Sequence, residues 1–260
     1  MIQGVQDGSI EAIMIPSSYF SSFASASAVV DIPFMFEDSQ QIFDVLNSEE
    51  NPLNDYMEIY GFKVAGWLKN TPRFILGQKQ YTSMADLSNQ KIWCLPSTTL
   101  QDELKAYGAA PQTLDPSDIA VSLENGTVDA VETDVLFMNS QGLGESAKYL
   151  NQIPGTPMTN LFCFSLDWFE SLPEDYQQLL LETAEDVIQN QEADYVDQMY
   201  EGSLNALQEA GIEIVEPQEA LIEELKVVSE TMVDSFTSEN DKNADIYEGL
   251  STLIENYSAQ

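Results

Sequence analysis

Gly66-Trp67-Leu68-Lys69-Asn70-Thr71-Pro72-Arg73 decides how this chain is organised. An apolar strand, Phe62 to Trp67, leads into the stretch, and another, Phe74 to Leu76, leads out of it. Pro72 has no N–H to give to a β-ladder, and it pushes Thr71 towards an extended conformation. The stretch therefore predicts a strand that leaves one sheet, crosses open ground and enters a second. At the crossing stands Arg73, the single arginine of the sequence, beside eight lysines and 44 acids. An arginine fork grips a carboxylate with two parallel hydrogen bonds, which lysine cannot do. An exposed ion pair, the commoner use of an arginine, contributes little. Its place at the crossing makes Arg73 a candidate for reading a carboxylate.

On either side of the crossing the chain alternates strands with helices, which argues an α/β fold. Before it, residues 1–8 read as a helix end stopped by Gly8, and Ile10 to Ile15 as a strand. Asp38 is the expected N-cap of a helix through Leu46, with Gln41 in the capping-box position. A further helix runs from Asn54 to Tyr60. After the crossing, strands are expected at Lys91–Leu95, 111–114, Val128–Val131, 148–153, 160–165 and 212–215. Glu132-Thr133-Asp134 reads as a turn. Gly8-Ser9-Ile10-Glu11-Ala12-Ile13 is echoed by Gly126-Thr127-Val128-Asp129-Ala130-Val131, each after a helical segment. Two similar α/β lobes would produce that echo.

From Pro173 to about Leu207 apolar residues recur at helical spacing, with Gly202 as a possible bend. Such a helix is about 50 Å long, so it is expected to span two lobes. Two acidic helices, about 218–236 and 244–256, finish the chain. The lobes are expected at 1–70 plus about 161–200, and at 71–160 plus about 201–260.

A net charge of −35 argues against nucleic acid and anionic membrane surfaces as partners. It suits a protein that works in high salt, where self-repulsion is screened. Hydrophobic residues at 43% are enough for packed cores, and no apolar run is long enough to span a membrane. There is no histidine, so the commonest general base and metal ligand is missing. No cofactor fingerprint, phosphate loop or metal-spaced ligand set appears. No enzyme, cofactor or metal site is expected, and no residue is nominated as catalytic. Cys94 and Cys163 lie in apolar runs and read as buried free thiols.

Several stretches in order resemble the DctP-type solute-binding subunit of tripartite ATP-independent periplasmic (TRAP) transporters. They are Gln6-Asp7-Gly8-Ser9-Ile10-Glu11-Ala12, Asp31-Ile32-Pro33-Phe34-Met35-Phe36 and Met84-Ala85-Asp86-Leu87 before Lys91-Ile92. Leu123 to Ala130, Trp168 to Pro173 and Gly211 to Pro217 complete the set. The resemblance implies a two-lobed periplasmic-binding-protein fold with crossing hinge strands and one long helix spanning both lobes. It implies capture of a small organic solute by hinge closure and delivery to TRAP membrane subunits, in the periplasm and without chemistry on the ligand. The same fold could instead serve as a ligand-sensing module for a membrane receptor.

The chain departs from the family in two places. The strand and helix that open the family's mature chain have no counterpart here, and residues 1–8 carry no signal-peptide pattern. An incomplete first lobe is therefore expected. Of the two arginines with which the family commonly grips a carboxylate, Arg73 matches one and Trp93 stands in place of the other. The expected ligand is a carboxylate with an apolar body, held by Arg73, or a neutral ligand, since the net charge of −35 opposes anions at long range; Trp93 either stacks on the ligand body or fills the core. Ligands bind beyond the carboxyl ends of strands in open α/β sheets. That nominates Ser17, Ser18 and Tyr19, Asn70 at the crossing, Pro96 and Ser97, and Thr133.

Overall fold

The computed structural model of the chain describes residues 1–155 and 157–259, and for residues 191–193 the backbone only. Among the described residues there are nine strands. They are β1 (Ala12–Pro16), β2 (Phe62–Lys69), β3 (Arg73–Gly77), β4 (Lys91–Trp93), β5 (Ala110–Gln112), β6 (Ala130–Asp134), β7 (Tyr149–Asn151), β8 (Thr159–Ser165) and β9 (Glu213–Val215). They form two sheets. One has three antiparallel strands in the order β1-β8-β2, and the other has six in the order β5-β4-β6-β3-β7-β9. β2 lies in the first sheet and β3 in the second, so Asn70 to Pro72 is the crossing that Pro72 predicts. The return crossing runs from β7 in the six-stranded sheet to β8 in the three-stranded one.

The hydrophobic pattern explains which strand takes the centre of the smaller sheet. Leu161, Cys163 and Phe164 of β8 are all buried, so this strand pairs on both edges. β2 lies beside it, and Asn47 satisfies its backbone at Trp67. The Asn47 amide donates to the Trp67 carbonyl at 2.7 Å and accepts from its N–H at 3.0 Å. That blunts an otherwise open sheet edge. The sequence echo has a structural basis. Gly8 (φ +76) and Gly126 (φ +74) each end a helical segment in the left-handed conformation that suits glycine, and a strand follows each.

Each sheet has its own apolar core. Phe20, Ile42, Leu46, Met57, Phe62 and Trp67 pack around the first, and Trp93, Leu100, Leu104, Leu123, Val131 and Leu150 around the second. Cys94 and Cys163 are free and buried, one in each. The long helix runs as Glu174–Val187 and Ala193–Glu209 joined by a π-helical turn, Ile188–Glu192. Ala184 and Ile188 pack with Phe43 and Leu68 beside the first sheet, while Leu207 enters the second core. Its irregularity is this turn, not Gly202, which sits inside the helix. The turn lies against the crossing strand. A Cβ on Gly66 would stand 2.5 Å from Ile188 Cδ1, so a larger residue here would have to displace the end of that side chain. Here β2 carries a bulge between Val64 and Gly66.

The end of the chain differs from the expected assignment of 201–260 to the second lobe. Helix Glu219–Glu239 puts Leu221 and Leu225 in the second core and packs Val233 and Phe236 against the first. Helix Asp241–Ser258 buries Ile246 and Leu250 in the first core. The amphipathic pattern fixes which face is apolar, but not which sheet it meets. No described helix is long and apolar enough to cross a membrane.

Candidate ligand-binding site

A cleft of about 710 Å³ opens where the two sheets face each other. It is larger than two further grooves of about 430 and 370 Å³. From the first sheet come Ile15, Pro16 and, just beyond β1, Tyr19 and Phe23. From the second come Trp93, Leu95, Pro96, Thr133, Asp134 and Phe137. Trp93 ends β4. Its indole N–H donates to the Leu114 carbonyl at 3.1 Å, and its ring stacks on Phe137 with centroids 6.0 Å apart and planes 5° from parallel. The bond to Leu114 fixes the ring plane, so the indole is a rigid wall. Asp134 ends β6 and caps the helix Val135–Ser140, accepting from the Phe137 N–H at 2.9 Å. Burial pushes its carboxyl above the usual range, against the hydrogen bonds that it accepts. Burial also raises the Tyr19 phenol, helped by the charge of Asp115.

Arg73 lies elsewhere. β3 pairs with β6 so that Arg73 faces Asp134, Phe74 faces Thr133 and Ile75 faces Glu132, while β4 sets Trp93 beside Val131. Side chains alternate along a strand. Trp93 and Thr133 therefore share one face of the six-stranded sheet, and Arg73 and Glu132 share the other. On that second face Arg73 is 3% exposed. Its guanidinium meets three carboxylates: Glu132 at 2.9 Å from Nε, Asp31 at 3.4 Å from Nη1 and Glu103 at 3.8 Å from Nη2. Asp31 also accepts from the Ser18 hydroxyl at 2.7 Å and the Ser97 hydroxyl at 3.0 Å. Glu103 accepts from the Tyr107 hydroxyl at 2.8 Å. The cluster joins the two sides of the molecule, with Asp31 and Ser18 from the first and the rest from the second.

One cation among three buried carboxylates leaves an excess of negative charge. Burial pushes Glu103 up to about 7; Arg73 and Tyr107 oppose this rise, and Glu132 and Asp31 reinforce it. Burial raises Asp31 and Glu132 as well, with Arg73 pulling both down. Burial also disfavours the charged guanidinium, but Glu132, Glu103 and Asp31 outweigh it and hold Arg73 firmly protonated.

Most of the expected site residues thus fall into two groups. Tyr19, Trp93, Thr133 and Pro96 meet at the cleft. Ser18, Ser97 and Arg73 meet at Asp31. Asn70 and Ser17 are buried in backbone contacts: Asn70 accepts from the Thr71 N–H at 2.7 Å, and Ser17 donates to the Thr159 carbonyl at 3.2 Å. Glu132-Thr133-Asp134 is not the expected turn but the second half of β6. Its polar side chains are buried because Arg73 meets Glu132 on one face and a helix start meets Asp134 at the end. Asp31, Glu103 and Glu132 give no local signal as partners of Arg73, since each comes from a distant element.

The chain matches the model of DctP, bacterial extracellular solute-binding protein family 7, over residues 1–240. It belongs to that family. The 2,3-diketo-L-gulonate-binding periplasmic protein YiaO of Escherichia coli is 25% identical to this DctP-family chain over 217 residues, covering 83% of the chain and 66% of YiaO. A TRAP periplasmic solute-binding protein of Haemophilus influenzae, solved with L-gulonate, superimposes with TM-score 0.89 at 24% identity, covering 97% of this chain and 83% of that one. One from a Sulfitobacter species, with β-D-galacturonate, gives TM-score 0.90 at 16% identity over 96% and 83%. The DctP fold is therefore that of TRAP solute-binding proteins, and Asp31, which opens one of the stretches quoted above, is the residue that ties Arg73 to the first lobe.

Proposed function

We propose that this DctP-family chain is the periplasmic solute-binding subunit of a TRAP transporter. It captures a small organic solute between its lobes, closes over it and presents it unaltered to membrane subunits. The observation that carries this reading is the cleft of about 710 Å³, walled from both sheets by Tyr19, Trp93 and Thr133. Ligand pockets for small molecules have this size and this mostly apolar lining with a few polar groups. Diketogulonate, gulonate and galacturonate, named for the relatives, are metabolites of a size such a cleft admits. The crossings between the sheets, and the π-turn beside the bulge of β2, supply places where closure can bend without unpacking either core.

A thermal-shift screen of small acids, amides and amines tests capture first, because binding to the folded state raises the melting temperature by mass action. Small-angle scattering with and without a saturating hit then tests closure. The expected result is a smaller radius of gyration with ligand. Superimposable curves would sink the hinge mechanism.

A further inference from the structure

We infer that the exposed side of the long helix docks another protein, one whose surface sets apolar side chains beside a row of lysine or arginine. The inference is independent of what the cleft holds. Among the described residues ten large hydrophobic side chains stand exposed, and five of them are on this helix: Tyr176, Leu179, Val187, Tyr195 and Met199, between 39% and 60% exposed. Single exposed hydrophobic residues are ordinary, whereas a continuous set marks an interaction surface. The steps between these five are 3, 8, 8 and 4 residues, so they run along one side of the helix for about 36 Å. An uninterrupted α-helix would carry Tyr195 about 80° past the line of Val187. The π-turn Ile188–Glu192 lies between the two. It bonds i to i+5 and turns less per residue, which brings the two halves of the stripe back towards one line.

Charge decides the occupant. From Glu174 to Glu209 the sequence has ten acids and no lysine or arginine. Asp175, Glu182, Asp186, Asp194 and Glu201 are all exposed and follow one another at steps of 7, 4, 8 and 7, so they form a second row beside the apolar one. The helix's one ion pair among the described residues joins Asp197, outside that row, to Lys69 at 2.7 Å. A second copy of the chain would set acid row against acid row, and an anionic membrane surface is repelled in the same way. A partner with a basic row beside apolar side chains meets both rows at once, steered by charge and held by burial. Ala184 packs beside the first sheet and Tyr200 against the second core, so a partner seated along the whole stripe contacts both lobes.

The probe is a synthetic helix of about 24 residues with a leucine row beside a lysine row, followed by fluorescence anisotropy as the full chain is added. It is expected to bind the parent chain, more weakly as salt rises. Leu179→Gln combined with Tyr195→Gln should weaken it about tenfold or more with the melting temperature unchanged. Val227→Gln, at an exposed apolar residue of another helix, should bind it as the parent does. The inference is overturned if the peptide does not bind, or if the double variant binds it as tightly as the parent. It is overturned too if a peptide with serine for leucine binds equally well, since the contact is then net charge alone. Sedimentation that showed the parent dimerising and the double variant monomeric would give the stripe to a second copy and overturn it as well.

Discussion

The two faces of the six-stranded sheet put opposite chemistry at the same boundary between lobes. One face opens on the cleft and is mostly apolar, with Trp93 and Thr133 at its edge. The other is closed and holds Arg73 among three carboxylates drawn from both sides of the molecule. Both include residues that the sequence marks as candidates for ligand binding. The difference teaches that a rare charged residue at a crossing between sheets need not face the cleft beside it. Strand alternation sends Arg73 to one side and Trp93 to the other, and Arg73 meets carboxylates from both sides of the molecule, the contacts a brace would make.

That contrast breaks most visibly if Arg73 is removed. Arg73→Met leaves three buried carboxylates without their cation, and urea unfolding should report a loss of about 3–5 kcal/mol. Adding Glu103→Gln and Glu132→Gln to the same chain should recover most of it, because the uncompensated charge is then gone. A single variant as stable as the parent would mean that the cluster is not a brace.

The pH dependence of stability sharpens the comparison next. Folding raises Glu103 from an ordinary 4.5 to about 7, through burial first. Between those values the folded chain holds more protons than the unfolded one, so this group's contribution makes stability fall as pH rises through the window and level off above it. Asp31 and Glu132, also raised, act in the same direction, and the paired Arg73 stays charged throughout. Glu103→Gln should flatten the slope in melting temperature measured from pH 5 to 8. A slope identical to the parent's would place the titration elsewhere.

The smallest effect belongs to the open face. Thr133 makes one long hydrogen bond, 3.4 Å to Asp134. Thr133→Val should therefore change stability by about 1 kcal/mol or less. Its effect should appear instead as weaker solute binding by calorimetry. A large stability loss with unaltered binding would reverse the roles given to the two faces.

Much of this was legible in the sequence, and the rest fails for identifiable reasons. Pro72 and its apolar flanks carry the crossing because they are local signals. The echo around Gly8 and Gly126 carries the helix–glycine–strand repeat for the same reason. Glu132-Thr133-Asp134 looks like a turn because three polar residues in a row make poor strand sense until β3 brings Arg73 alongside. Asp31 and Glu103 look like ordinary acids because their partner is 42 and 30 positions away in the chain. The irregularity of the long helix is a π-turn at Ile188–Glu192 beside Gly66, whereas Gly202 has nothing within 4 Å of its would-be Cβ. Local chemistry wrote the elements, and long-range pairing decided which face each side chain met.

The most direct test of this division is calorimetric titration of a bound solute into the parent chain and into Arg73→Lys, which keeps the charge and loses the fork. The account predicts affinities within about threefold of each other, with any penalty confined to the unfolding midpoint. A loss of about tenfold or more in affinity, with the folded state intact, would return Arg73 to the ligand and contradict the account.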